Sequence, residues 1–488
     1  MNSILIYLAI FIYLFAIVYT IIKILLSTPS TSKTLGYLLL VIIIPLFGMI
    51  FYYAFGQNLR HRRSLSKTRV IQAEFDKNYK TKLIDRTQTY LEESGDDFDQ
   101  MSELVRFLHK VGNEYLSKNT IKLLINGEEK FPDVLKELNK ASKTIHMEYY
   151  DWENDTRGNQ IKDILLNKVK EGVIVRVIYD DYASRKIKPN IIKELKGGGV
   201  LVFPQIKIQL AAFANRVNHR DHRKLIIIDS YTAFIGGINI SDRYDNSIPT
   251  GLFWRDTHAR FRGPIALNIQ RHFIISWNAC QEEENLSFSE VLFQDSIIDQ
   301  KEQDTTTVLS QVCAGGPIYL NSNIMMTYFR VFTMARDKLY VTNPYFIPNE
   351  SIINALKEAA FSGVDVRVLV PEKSDSAIVG AASRYYFEDL LYSGVRIFLY
   401  KKGFVHAKTV TSDGIVSVIG TANMDIRSFD LNFEIMSVNY SREFANRMEQ
   451  MFFNDLEDCD ELTLEMWDNL SVFKKLWYSF ARLMSAFL

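Results

Sequence analysis

The sequence predicts a two-lobed α/β protein behind a membrane hairpin. Three observations carry this reading: two uncharged apolar runs at the N-terminus, a strand–helix–strand order that occurs twice, and one chemical motif that occurs twice. A chain of 488 residues has room for two or three domains, and a formal net charge of zero gives no global field to draw in nucleic acid.

The apolar runs come first. Residues 1–22 and 34–58 hold no charged side chain, and each meets the ~20 residues that a helix needs to cross a bilayer. The short stretch from Ser27 to Lys33 makes them a hairpin, and Pro45 and Gly48 are tolerated inside membrane helices. A cleaved signal peptide fits less well, because the first run lacks a basic lead and a second span follows it. Buried core helices are the other reading, but two adjacent runs this apolar are unusual in a core. Arg60, His61, Arg62 and Arg63, then Lys67 and Arg69, follow the second run. The positive-inside rule puts that cluster, the N-terminus and the large C-terminal body on the cytoplasmic side. The cluster also suits anionic headgroups.

Six segments are expected: the hairpin at 1–58, a basic juxtamembrane segment and polar connector at 59–119, a first lobe at 120–280, an acidic linker at 281–310, a second lobe at 311–470 and a C-terminal segment at 471–488. In the first lobe 144–150 reads as a strand, 160–170 as a helix and 172–179 (GVIVRVIY) as a buried strand. The second lobe returns the order at 338–343, 351–361 and 363–370 (GVDVRVLV). This is βαβ logic, with helices on mixed sheets, and two copies mean a duplicated domain rather than a solenoid. The C-terminal segment is apolar and aromatic with Lys474, Lys475 and Arg482. It is too short and too charged to span, and either lies in the membrane interface or packs on the lobes. Cys280, Cys313 and Cys459 are far apart and read as isolated thiols rather than a disulfide framework or zinc site.

The repeated motif is His-x-Lys-x-x-x-x-Asp. His222, Lys224 and Asp229 form one copy; His406, Lys408 and Asp413 form the other; Asn239 and Asn423 follow at the same offset in each. With eight His in the chain, two copies matched residue for residue are not chance. On an extended segment residues two apart share a face, so each His projects with its Lys. Asp229 and Asp413 fall at the strand's far end and read as more structural than chemical. Gly236, Gly237 and Gly420 precede the Asn residues, where glycine lets a backbone approach an anion. Face to face, two imidazoles offer a nucleophile and a general acid, while two ammonium groups and two amides surround an anion. That equipment suits phosphoryl or phosphatidyl transfer without a metal. The lysines would repel a metal cation and attract a phosphate.

On these residues the chain resembles the phospholipase D superfamily, and within it the bacterial cardiolipin synthases. The likeness runs from the hairpin to the C-terminus. It includes Asn218-His-Arg-Asp-His222-Arg-Lys224, Phe234-Ile-Gly-Gly-Ile-Asn239, Trp254-Arg-Asp256, Thr342-Asn-Pro-Tyr-Phe-Ile-Pro348, His406-Ala-Lys408, Gly420-Thr-Ala-Asn423-Met-Asp-Ile-Arg-Ser428 and Asn432-Phe-Glu434. The resemblance implies two phospholipase D-like α/β/α sandwich lobes related by pseudo-symmetry, in a multi-pass protein of the bacterial plasma membrane. It implies that one His attacks phosphatidylglycerol, expels glycerol and is released by a second phosphatidylglycerol, giving cardiolipin. His222 would be the nucleophile and His406 the acid and base, roles that the residues alone leave interchangeable. Asp256 is expected to hold His222, and Glu434 to hold His406. Glu148 is a further candidate for a site-facing carboxylate, and Tyr345 and Phe346 for the lipid cleft. No cofactor, metal or nucleic acid is implied, and a homo-oligomer is left open. The alternatives are a membrane phospholipase D, a synthase using another headgroup such as phosphatidylethanolamine, a nuclease of the superfamily, and a non-enzymatic scaffold. A nuclease would want a basic groove, and a scaffold would have lost motif residues.

Overall fold

The computed structural model describes residues 2–27, 31–56, 62–93, 95, 98–206, 219–281, 283–288 and 304–483. In chain order the strands are β1 (Ser117–Ile125), β2 (Thr144–Tyr149), β3 (Ile174–Tyr179), β4 (Leu201–Pro204), β5 (Lys224–Ile228), β6 (Thr232–Gly236), β7 (Trp254–Arg255), β8 (Thr257–Arg262) and β9 (Thr306–Gly315). They continue with β10 (Lys338–Thr342), β11 (Phe346–Ile347), β12 (Asp365–Pro371), β13 (Arg396–Tyr400), β14 (Phe404–Val405), β15 (Thr409–Ser412), β16 (Val416–Gly420), β17 (Met424–Asp425), β18 (Glu434–Tyr440) and β19 (Cys459–Leu462).

β1 and β9 lie side by side, antiparallel, inside one mixed 15-stranded sheet. Outwards from β1 the neighbours are β8, β6, β5, β2, β3 and β4; outwards from β9 they are β18, β16, β15, β10, β12, β13 and the additional edge strand β19. In both directions the inner pairs are antiparallel and the next, β2–β3–β4 and β10–β12–β13, are parallel; β19 then pairs antiparallel with β13 on one side alone. The sequence suggested separate sheets. Pairing of β1 with β9 merges them and leaves neither half an open inner edge. β1 and β9 also straddle the expected boundaries at 119/120 and 310/311.

Local chemistry explains the elements. β5 and β6 are buried throughout, so they read as continuous apolar runs rather than alternating ones. The first-lobe helix runs Thr156–Lys170, because the Asp155 side chain caps it by accepting from Gly158 N at 2.9 Å. Asn349 does the same for Glu350–Phe361, accepting from Ile352 N at 3.1 Å.

The connector is part of the body. Its helices span Arg62–Glu92 and Phe98–Gly112. Ile71, Phe75 and Leu83 share a core with the helix Ile265–Cys280, and the Phe75 ring meets Phe288 edge-on at 5.1 Å. Leu286 and Phe288 of the expected linker are therefore buried; residues 289–303 lie outside the described ones.

At the N-terminus the helix Asn2–Ser27 contains an apolar stretch, Ile4–Ser27, with mean hydropathy 2.6. Among the described residues it is the one helix long and apolar enough to cross a membrane. The second run divides into Thr31–Ile43 and Pro45–Phe51, broken where Pro45 cannot continue the hydrogen-bond ladder. It packs back on the first through Ile24, Val41 and Tyr52, with Ser27 Oγ and Tyr52 OH 2.6 Å apart. Residues 28–30 of the expected turn and 57–61, which open the basic cluster, lie outside the described residues.

Candidate active site

Two short backbone crossings build the site. β7 pairs in parallel with β14, setting Trp254 opposite Phe404 and Arg255 opposite Val405. On the other side Asp221 bridges Phe433, with His222 N donating to Phe433 O at 3.0 Å and Phe433 N donating to Arg220 O at 2.8 Å. One residue further along each register, Asp256 meets His406 and Glu434 meets His222.

The side chains follow that register. His222 Nδ1 lies 2.9 and 3.1 Å from the two Glu434 carboxylate oxygens, and His406 Nδ1 lies 2.7 Å from Asp256 Oδ2. The expected partners were the reverse: Asp256 for His222 and Glu434 for His406. The cause lies in the backbone, because each carboxylate stands one residue after a short pairing across the junction, Arg255 with Val405 and Phe433 with Asp221. With its Nδ1 proton held by a carboxylate, each imidazole keeps its lone pair on Nε2.

Both histidines line one cavity of about 380 Å³, together with Asn239 and Asn423. Asn239 Nδ2 donates to Tyr244 OH at 2.7 Å, whereas Asn423 Oδ1 is buried with no hydrogen-bond partner among the described residues. Lys224 and Lys408 are buried behind the imidazoles. Lys224 Nζ donates to the His222 carbonyl at 2.6 Å, and Lys408 Nζ to the His406 carbonyl. Each lysine thus clamps the backbone of its own histidine.

Burial governs the electrostatics. Desolvation lowers Lys224 to about 8 and Lys408 to about 7, against the pull of Asp256 and Glu434. Burial, then Lys408, lowers His406 to about 4, despite Asp256. His222 is held well below the ordinary imidazole value by burial, then by Lys224 and Lys408. Burial pushes Glu434 up to about 7, opposed by Lys224 and by the Thr421 hydroxyl that donates to it. Neutral imidazoles over poorly solvated cations form a site that gains from receiving an anion.

The other candidates divide. Asp229 and Asp413 lie away from the cavity at positive φ, 51° and 53°. The Asp229 carboxylate accepts from the backbone N–H groups of Ser142, Lys143 and Thr144 at 2.8–2.9 Å. Asp413 accepts from those of Arg336, Asp337 and Lys338 at 2.9–3.1 Å. Each ties the far end of a motif strand to the start of its neighbour. Glu148 does not line the cavity; it is buried beside Arg223 Nη1, 3.3 Å away. Tyr345 lines the cavity and donates to Asp375 Oδ2 at 2.6 Å, but Phe346 is core. Gly237 does not open the backbone to an anion: a Cβ there would overlap the Asp256 carboxylate. Gly420 is packed in the same way against Ile435 and Met436. Sequence reasoning missed three cavity arginines, Arg220, Arg243 and Arg427. Their signal was present, because Arg243 and Arg427 each stand four residues after a motif Asn. Among the described residues, no three His, Cys, Asp or Glu side chains converge as a metal set.

A mixed sheet carrying twin His-Lys motifs into one cavity defines a phospholipase D-like protein. A family model described as "Cardiolipin synthase, PLD-like domain" matches residues 134–257 and 328–456, and one described as "Phospholipase_D-nuclease N-terminal" matches 8–57. Cardiolipin synthase 2 of Bacillus anthracis is 37% identical over 95% of this chain and 88% of its own length. The cardiolipin synthase of Halalkalibacterium halodurans is 36% identical over 97% of this chain and 92% of its own. The crystal structure of phosphatidylserine synthase from Haemophilus influenzae covers 79% of this chain and 98% of its own, with a TM-score of 0.57 at 15% identity, a likeness of fold. The chain belongs to the cardiolipin synthases of the phospholipase D superfamily, a family of phosphatidyltransferases.

Proposed function

We propose that the chain joins two phosphatidylglycerol molecules into cardiolipin, with glycerol as the second product, through a phosphatidyl-histidine. His222 Nε2 attacks the phosphorus, forming a P–N bond as the P–O bond to glycerol breaks. His406 takes up a proton on Nε2 as the phosphate anion binds, gives that proton to the departing glycerol oxygen, then takes back the proton of a hydroxyl on the second phosphatidylglycerol. The resulting oxygen attacks phosphorus, the P–N bond breaks and His222 is restored. Asn239 and Asn423 donate to the non-bridging oxygens. Lys224 and Lys408 supply positive charge as it builds on a five-coordinate phosphorus. Glu434 supports charge on His222 and Asp256 supports charge on His406. The observation that carries this reading is the shared cavity, where each imidazole is held by a carboxylate from across the junction.

In this reading the sheet's two halves are pseudo-symmetric lobes of a duplicated domain, supported by the matching neighbour order on either side of β1 and β9. The helix Asn2–Ser27 and the packed-back second run form a two-span hairpin in the plasma membrane, with the lobes on the cytoplasmic side. A membrane phospholipase D would use water in the second step. Labelled phosphatidylglycerol given to the purified protein separates the two. Cardiolipin with an equal amount of glycerol supports the synthase; phosphatidic acid as the main product contradicts it.

A further inference from the structure

The last helix, Val472–Leu483, has two apolar sides and uses only one. Tyr478 and Ala481 pack on the helix Ala377–Arg384, in a cluster with Ile347, Ala381 and Ala382. Lys475 Nζ reaches Glu388 at 3.0 Å and Arg482 Nη1 donates to Tyr385 OH at 2.6 Å, so the helix is fixed in place. The outer side carries Val472, Phe473, Leu476, Trp477, Phe480 and Leu483, each 46–85% exposed. These positions fall at one-turn and two-turn spacings, so they form one stripe. Six large apolar side chains on twelve residues are far from the scattered exposed residue that any surface shows. The helix holds Lys474, Lys475 and Arg482 and no acidic residue.

We propose that this stripe docks on a lipid bilayer bearing anionic headgroups and sets the cavity mouth against it. The site itself supplies the continuity. Val379, on the supporting helix, and Ile347, in the shared apolar cluster, both line the cavity that holds His222 and His406. The stripe is therefore one helix layer from the mouth. An interfacial helix buries its apolar face about 5–10 Å into the headgroup boundary, with aromatic and basic side chains at that depth. Phe473, Trp477 and Phe480 match the aromatic requirement, and the helix carries no acidic residue to oppose an anionic surface. The proposal rests on a lipid substrate, which the closing experiment keeps separate.

The test uses the full chain, wild type and a Phe473→Ser/Trp477→Ser/Phe480→Ser variant. Each is assayed in vesicles of phosphatidylglycerol and phosphatidylethanolamine and in mixed detergent micelles, where substrate meets the mouth without a bilayer. The variant should lose about tenfold or more in vesicles, where presentation of lipid sets the rate, and nothing in micelles. Equal loss in both, or none in vesicles, overturns the proposal. Fluorescence gives a second reading that needs no turnover: shallow brominated lipids should quench a component present in wild type and absent from Trp477→Phe. No such component overturns the proposal, as would a triple variant that changes only the number of copies in detergent. A wild type that makes no cardiolipin in micelles would count against the lipid chemistry and leave the quenching result to decide the docking.

Discussion

Around His406 stand four rings, Trp254, Tyr244, Phe404 and Tyr345, with centroids 5.6–6.2 Å from the imidazole; around His222 stands Tyr150 at 4.9 Å. The flanking positions differ in kind. Phe404 stands two residues before His406, but Arg220 stands two before His222. Trp254 stands two before Asp256, but Asn432 stands two before Glu434. The motif thus supplies its chemistry in duplicate, and the residues that do not repeat give each copy a different setting. In the proposed mechanism the ringed half takes glycerol, whose C–H faces suit aromatic surfaces, while His406 moves the protons.

Replacing a histidine tests the comparison hardest. His222→Ala and His406→Ala should each cut cardiolipin formation by about four orders of magnitude or more, because the two act as one unit. Combining them should add little, and full activity in either single variant contradicts a shared site. Next come the carboxylates. Asp256→Asn and Glu434→Gln should each cost about 10²–10⁴ in kcat by releasing the imidazole tautomer. The sharper readout is the downfield Nδ1 proton: Glu434→Gln should remove that of His222 and leave that of His406. The opposite loss would contradict the crossed pairing.

The pH profile should show a smaller effect. Phosphate binding needs charged lysines, and Lys408 near 7 and Lys224 near 8 lose their protons as pH rises. kcat/KM for phosphatidylglycerol, which reports the free enzyme, should therefore fall as pH rises through about 7–8. A bound phosphate raises both values, so kcat should hold to higher pH. A kcat/KM flat to about pH 10, the ordinary lysine range, contradicts the buried-cation account. Asp229→Ala should have the smallest effect on turnover. It removes the acceptor for three backbone N–H groups that water can partly replace, since Ser142 and Lys143 are exposed, and should cost about 1–2 kcal/mol in stability in all. Activity per folded molecule should be nearly unchanged in a melting and rate comparison.

Much of this site was legible in sequence because its residues are rare types at matching offsets. The strands around them were legible because their apolar runs are long and β-branched, as in β3 and β12. What stayed hidden depends on contacts far apart in the chain. Glu434 is 212 residues from His222 and Asp256 is 150 from His406, and only the β7–β14 and Asp221–Phe433 crossings join them. The pairing expected from the resemblance was the opposite one, with each carboxylate on the histidine of its own half. The pairing of β1 with β9, and the room that Gly237 leaves for Asp256, are likewise facts of packing that no local pattern encodes.

The most direct test of the shared, asymmetric site is a denaturing quench at alkaline pH, where a P–N bond survives, during turnover of phosphatidylglycerol labelled in its phosphatidyl phosphate, followed by peptide mapping at the same pH. The account predicts label on His222 in wild type and none in His222→Ala. Label on His406 would reverse the roles of the two halves, and no labelled histidine under conditions of rapid turnover would contradict the covalent mechanism.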